Sequence, residues 1–417
     1  MWQFIKNLVS YVHFVFSLDW FLLVSTIIDF LILLWAIYYR NEQCFGSSMI
    51  LVVIAVFINF VWQIVNVAGH FAFLRKANPG KTLMSMLKKS EGDKKDFSLI
   101  MTDRELLQKE DFPYIVNVEL GVLENPKVVE LLRSETRIIT ELSQTKRGET
   151  RMYIMQYKQT LLKFLNQKWY EICHKGGMFT NDKKVCLASE LFPAEEKGSF
   201  KWRVTKGYYY QGYLTNFIYT QYVGGTRYKV FPPANMKTDP IKSLGDSDFS
   251  DHIGVSTLLY TSDGSIFIFR QALSAGYNAY YYVPTGSGSV DYSDFKEGED
   301  MREMIIWAAE RELAEESSLK KKLGKEVFKQ LVHTQVIGYY RDMERGGKPE
   351  FCCVSRIDKT ETDVKGYIEI NDDEIAGGSR KSMSFSNNDV WENIYLPEAS
   401  LSLKMNYKFL KEYLNQA

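Results

Sequence analysis

The 417-residue sequence predicts an α+β chain in three parts: a two-helix transmembrane hairpin, a helical linker and a carboxyl-terminal domain of strands around one long helix. Three observations predict it. Two long apolar runs stand near the amino end. Helical periodicity follows over 125–174. From Phe200 the texture changes to tyrosine-rich, alternating runs with glycine turns, broken by the charged stretch Glu303–Leu319. The expected boundaries are 1–76 for the membrane part, 77–180 for the linker and 181–417 for the domain.

The apolar run Trp20–Tyr39 contains Asp29, Ser25 and Thr26 as its polar interruptions. Met49–Leu74 is a second run, interrupted by Asn59, Gln63, Asn66 and His70. As helices at about 20–39 and 49–74, each could cross a hydrocarbon layer of about 30 Å. Trp20, Trp35, Tyr38 and Tyr39 suit the water interface, and Arg40–Ser48 makes a short connection. Arg75, Lys76, Lys81, Lys88 and Lys89 follow with no acid among them, so the positive-inside bias places the carboxyl-terminal domain in the cytoplasm of a multi-pass membrane protein. Asp29, Asn59, Gln63 and Asn66 are the polar residues of this part. They either glue the hairpin through hydrogen bonds or line a hydrated path in an assembly of hairpins; the second requires a homo-oligomer. Residues 1–17 could lie at the interface or extend the first span. The lysines after the second span either touch anionic membrane lipid or form a solvated face.

Composition excludes some classes. Lys plus Arg and Asp plus Glu both number 51, so net charge does not indicate a generic nucleic-acid binder, and no nucleic acid duplex is expected as a partner. The five cysteines form no CxxC pair, which reads as reduced thiols, and no zinc spacing appears among the five histidines.

In the linker, NPKVVELLRSETRIITEL and MYIMQYKQTLLKFLNQKWYEI both carry apolar residues at spacings of three and four and read as helices, ending at Gly176-Gly177. Phe200–Pro233 reads as strands. Its tyrosines suit strand packing, while Arg227 and Lys229 beside them keep a nucleotide surface in play. Residues 252–271 read as a hairpin about Ser262–Ser265, and 333–357 as another about Gly346-Gly347. Pro284-Thr285-Gly286-Ser287-Gly288 ends a strand and leads through a loop to Glu303–Leu319. That stretch has no Gly or Pro and reads as one helix. Glu312, Glu315 and Glu316 fall within about a third of its circumference. Carboxylates so crowded repel unless a cation or good solvation relieves them, and a hard divalent ion takes such oxygen ligands. A last helix is expected over Leu401–Asn415.

Glu303, seven residues, then Arg311-Glu312-Leu313-x-Glu315-Glu316-x-Ser318-Leu319 resembles the Nudix box. The surrounding order of hairpin, Pro-x-Gly-x-Gly, helix, strands and final helix is also similar to that family. The resemblance covers about 250–415 and implies a Nudix-like α/β/α sandwich. It implies that Glu312, Glu315 and Glu316 hold Mg²⁺ or Mn²⁺ near the Gly286 or Gly288 carbonyl, that Arg311 orients them, and that Glu315 or Glu316 is catalytic if the chain is a hydrolase. Two departures stand out. Ser318 occupies the place of the family glycine after the acidic pair. Gly298 lies one residue from the expected glycine before Glu303, a place taken by Glu297, so the approach to the helix is remodelled. Glu344, Glu350 and Asp372-Asp373-Glu374 are candidates for a further acid.

A two-helix anchor, a helical linker and this variant box together resemble the SMODS-associated Nudix effectors of bacterial CBASS anti-phage systems. That resemblance implies a cyclic oligonucleotide second messenger made by a partner nucleotidyltransferase, a ligand-sensing Nudix domain, and inner-membrane disruption leading to abortive infection. The alternative is a membrane-tethered, Mg²⁺-dependent Nudix hydrolase of a nucleoside diphosphate derivative.

Overall fold

The computed structural model describes residues 2–18, 27–32, 53–54, 56–59, 61, 102–108, 111–143, 145–174, 177–219, 222–223, 226–227, 240–271, 281–368, 375–386 and 391–416. In chain order the elements are α1 (Trp2–Leu18), α2 (Arg104–Gln108), β1 (Ile115–Asn117), β2 (Val122–Glu124), α3 (Pro126–Arg133), β3 (Ile138–Leu142), α4 (Thr145–Gln156) and α5 (Lys158–His174). Then come β4 (Lys183–Leu187), β5 (Phe192–Pro193), β6 (Phe200–Tyr208), α6 (Tyr209–Leu214), β7 (Tyr222–Val223), β8 (Thr226–Arg227), β9 (Gly254–Thr261), β10 (Ser265–Gln271), β11 (Tyr282–Val283) and β12 (Gly286–Ser289). The long helix is α7 (Met301–Ser317). It is followed by α8 (Leu319–Leu323), α9 (Lys325–Leu331), β13 (Val332–Asp342), β14 (Lys348–Ile357), α10 (Glu361–Tyr367), β15 (Ile375–Ser384) and α11 (Leu401–Gln416).

The chain divides into two compact units: 1–93 with 162–181, and 94–161 with 182–417. Among the described residues of the chain, no helix is long and apolar enough to cross a membrane. This corrects the expected two-helix transmembrane hairpin and the multi-pass inner-membrane placement drawn from it. Apolar composition over 20 residues is necessary for a span, but an unbroken helix of about that length is also required to cover some 30 Å. Within the expected spans the described helical residues are 27–32, 53–54, 56–59 and 61; the remainder, with Gln63 and Asn66, lies outside the described residues. Asp29 is 7% exposed and accepts a 2.6 Å hydrogen bond from the Asn59 side chain.

α1 is 17 residues long and has a partner within its own unit. Asn7 donates to the Cys173 thiol and to the Gly177 carbonyl, both at 3.1 Å, and accepts from the Phe179 N–H at 3.0 Å. The Trp169 indole donates to the Asn7 carbonyl at 3.2 Å, and its ring meets Phe4 edge-on at 5.7 Å. The buried Asn7 side chain is thereby satisfied by α5 and the turn after it.

The second unit is built on a nine-stranded sheet of order β1-β2-β13-β14-β9-β10-β11, with β12 also on β9 and β15 also on β10. β14 and β9 run parallel, while β13–β14 and β9–β10 are the two expected hairpins. Gly346 and Gly347, at φ of +61° and +83°, make the second turn in a conformation that a side chain resists. On β9, Ser256 accepts from Asn406 of α11, whereas Leu259 clusters with Leu313 of α7. Residues three apart on a strand face opposite ways, so α7 and α11 cover opposite faces of the sheet. A smaller sheet of order β3-β6-β4, with β5 on β6, packs its buried Trp202 against Tyr339 and Phe351 of the large sheet.

Part of the expected helical linker is strand. Helix α3 starts at Pro126 behind an Asn125 cap, as the sequence suggests, but ends at Arg133. Residues 138–142, IITEL, form β3 parallel to β6. Their β-branched side chains favour a pleated, half-buried surface, and pairing with β6 decides in favour of strand. Conversely, the expected strand run after Phe200 turns helical at Tyr209–Leu214.

Candidate functional site

α7 is fixed at both ends. Asp300 caps its start, accepting from the Arg302 N–H at 2.9 Å and pairing with the Arg302 guanidinium at 2.7 Å. At the far end Ser318 takes the left-handed conformation, φ +56°. Glycine adopts this conformation without strain, whereas a side chain there is strained. Met304, Ile305, Ala308, Ala309 and Leu313 bury one side of the helix, with Met304, Ile305 and Leu313 each contributing roughly 1.5–3 kcal/mol.

The loop leading into α7 is held by β3. The Gly298 N–H donates to the Thr140 carbonyl at 3.0 Å and the Thr140 N–H to the Glu299 carbonyl at 3.1 Å. The Ile138 N–H donates to the Asp300 carboxylate at 3.2 Å. The remodelled approach is thus a short backbone pairing with the 94–161 segment. Glu297, in the place expected for glycine, is exposed, and Gly298 turns the chain at φ +79°.

Arg311 and Glu312 form the centre. The Arg311 guanidinium donates to Glu312 at 2.8 Å, to Asp294 at 2.9 and 3.3 Å and to the Ser289 carbonyl at 3.2 Å. It also lies 3.5 Å from Asp291 and 3.7 Å from Glu315. Burial works against its charge, but Glu312, Asp294 and Asp291 more than offset this and hold the guanidinium charged. Glu312 is buried, and burial pushes its carboxyl up to about 7 against the opposing pull of Arg311 and Lys184. Glu315 is 58% exposed at its side chain and Glu316 is 2% exposed.

Gly286 and Gly288 press on this centre. A Cβ at Gly286 would stand 2.6–2.7 Å from backbone atoms of Leu313, and one at Gly288 would stand 2.3 Å from the Glu312 carboxyl carbon. Two expected glycines are therefore sites of close approach between β12 and α7.

Three residues outside the expected set complete the arrangement. Asp294 accepts from Arg311 and from the Asp291 N–H at 3.0 Å. Asp291 pairs with the Lys184 ammonium. Lys184 lies 5.7 Å over the Tyr209 ring. The Asp291-x-x-Asp294 spacing is a readable capping signal, since a short acid that caps a turn is held in place for other partners. Nothing in the sequence joins Lys184 to it, because that contact comes from the small sheet.

Other expected residues lie elsewhere. Arg227 is in β8, paired with β7. Glu350 is buried and engaged by Lys348 at 2.6 Å and Arg345 at 3.0 Å, a structural network away from Glu312 on the chain. Glu344 sits in the β13–β14 turn, and 372–374 lie outside the described residues. Tyr210, Tyr213 and Tyr219 are buried, with Tyr213 stacked on Phe217 at 4.8 Å; these tyrosines are packing residues.

Hard carboxylate oxygens suit Mg²⁺ or Mn²⁺ in kind. Among the described residues, however, no group of three or more His, Cys, Asp or Glu side chains could hold a metal ion. Arg311 takes a Glu312 oxygen and also lies 3.7 Å from Glu315, so Glu312, Glu315 and Glu316 as placed do not fit a resident ion.

No protein-family model matches the chain, and no curated protein matches it. Among solved structures it is similar to DR0079 from Deinococcus radiodurans, at 15% identity and a TM-score of 0.26, over 38% of this chain and 82% of that one. A likeness this low carries no functional argument.

Proposed function

We propose that the second unit is a Nudix-like nucleotide-sensing domain that binds a cyclic oligonucleotide second messenger on the Gly288–Glu312 face. In this reading the messenger comes from a partner nucleotidyltransferase and the chain is an effector in bacterial anti-phage signalling. The resemblance of the Arg311-Glu312-Leu313-x-Glu315-Glu316 run supports the nucleotide class. The observation that favours sensing over turnover is the closure of Arg311 on Glu312, Asp294, Asp291 and Glu315. A guanidinium so engaged ties up the carboxylates that chemistry would need. No membrane step belongs to the proposal, since among the described residues no helix could span.

Hydrolysis of a nucleoside diphosphate derivative is the second reading. It is favoured by Glu312, whose carboxyl, pushed up to about 7, matches the working range of a general base.

The test is to incubate the full chain with cyclic di- and trinucleotides and with ADP-ribose, each with and without Mg²⁺, and to resolve bound from cleaved nucleotide by chromatography. Sensing predicts retention of an intact cyclic nucleotide. Steady release of cleaved products, abolished by Glu312→Gln, would replace it with the hydrolase.

A further inference from the structure

The cations facing Glu312 come from two different parts of the fold. Arg311 belongs to α7. Lys184 belongs to β4, in the small sheet, outside the segment that resembles the Nudix domain. Its position is not left to a flexible loop. The Val185 N–H donates to the Val290 carbonyl at 3.0 Å, the Ile253 N–H donates to the Val185 carbonyl at 3.0 Å, and Lys184 bridges to Asp291 along the backbone. β4 is thus sewn to the exit of β12 and to the residues before β9, which puts the lysine at the rim of the Glu312 face.

We propose that Lys184 is a phosphate contact of this face, so that the small sheet, and not the box alone, forms the anion-binding wall of the nucleotide site. The proposal rests on the nucleotide-binding reading above and names the part of the ligand taken there.

The charge arrangement carries it. Asp291 serves two cations, pairing with Lys184 and standing 3.5 Å from Arg311. Asp294 is taken by Arg311 and by the Asp291 N–H. An incoming phosphate can therefore take the Lys184 ammonium and leave Asp291 beside Arg311, with no acid stranded. The reverse exchange, phosphate for a carboxylate on Arg311, would free an acid in a half-buried place, which is costly. The lysine side chain is 13% exposed and its Asp291 partner 29%, so the pair is reachable at its rim. Gly288 places no side chain between β12 and the Glu312 carboxyl.

The experiment uses the full chain, with inorganic pyrophosphate and a cyclic dinucleotide as probes in titration calorimetry, alongside thermal unfolding to confirm each variant is folded. Lys184→Gln is expected to weaken pyrophosphate binding about tenfold or more, the size of a lost charge-assisted contact. Lys184→Arg is expected to recover most of it. Lys197→Gln, which removes the same charge from an exposed site, is expected to stay within about twofold of wild type. Asp291→Asn, which releases Lys184 from its counter-ion, is expected to tighten binding severalfold, and this gain should vanish when Lys184→Gln is also present. A purely structural lysine would not couple to Asp291 in this way. Wild-type binding of either probe with no change in Lys184→Gln overturns this proposal and leaves the nucleotide reading standing. Failure of the wild type to bind both probes overturns the two together.

Discussion

Gly288 lies against Glu312: a Cβ at position 288 would stand 2.3 Å from the Glu312 carboxyl carbon, so any side chain there requires the carboxylate to move. Gly286 makes a different contact, since its Cβ would meet the Leu313 backbone at 2.6–2.7 Å. A carboxylate can swing aside, whereas a helix backbone cannot. Gly286→Ala is therefore predicted to destabilise the unit more than Gly288→Ala, with roughly 1–3 kcal/mol for the overpacked variant. Urea unfolding of the two variants checks the order. Equal losses would mean that α7 shifts as a body.

Glu312 makes stability depend on pH. Its carboxyl rises from 4.5 to about 7 on folding, through burial opposed by Arg311. The folded state then holds the proton more tightly, so the contribution is full below about pH 4.5 and is lost as pH rises to about 7. The whole shift corresponds to roughly 3 kcal/mol. Glu312→Gln is predicted to flatten this part of the profile. Unfolding measured at pH 5 and pH 8 for both proteins gives the difference, and identical pH slopes would contradict the assignment. His252 works in the opposite direction in both proteins: burial, with Lys348 and Lys184 nearby, depresses its titration, so the comparison of variants isolates Glu312.

Ser318 holds φ +56° at the end of α7. A side chain in the left-handed region costs roughly 1–2 kcal/mol. Ser318→Gly is predicted to recover about 1 kcal/mol, less the added freedom of the unfolded glycine. A higher melting temperature with unchanged ligand affinity is the expected outcome.

Lys146 of α4 and Asp251, just before β9, form a buried ion pair at 3.0 Å, with side chains 2% and 0% exposed. Asn216 also donates to Asp251 at 2.9 Å. Lys146→Met leaves that carboxylate with a neutral partner alone. The predicted loss is about 3–5 kcal/mol, the usual consequence of breaking one side of a buried pair. The double change Lys146→Met with Asp251→Asn is expected to recover part of it. A surface-sized loss below about 1 kcal/mol would show that α4 is not anchored there.

The sequence was most readable where local pattern and tertiary role agree. The helix holding Arg311 and Glu312 and the strand end at Pro284–Gly288 follow from local pattern, whereas the roles of Arg311, Gly286 and Gly288 follow from the resemblance alone. The hairpin turns at Ser262–Ser265 and Gly346-Gly347 likewise follow from local pattern. Lys184 carries no local signal, because its partner Asp291 lies more than a hundred residues on and the two meet only when β4 packs beside the exit of β12. Residues 138–142 were read as helix because apolar spacing there fits both periods, and only pairing with Phe200–Val204 selects the strand. The expected membrane hairpin shows the limit of hydropathy. Apolar length is legible in a sequence, but among the described residues no helix is long and apolar enough to cross a membrane.

The central claim is that the Gly288–Glu312 face holds an intact cyclic nucleotide. Titration calorimetry of cyclic di- and trinucleotides into the full chain and into Gly288→Val tests it most directly. The account predicts saturable binding by the wild type and at least a tenfold loss in a variant that still unfolds cooperatively. Binding of equal strength in Gly288→Val would place the ligand elsewhere and contradict it.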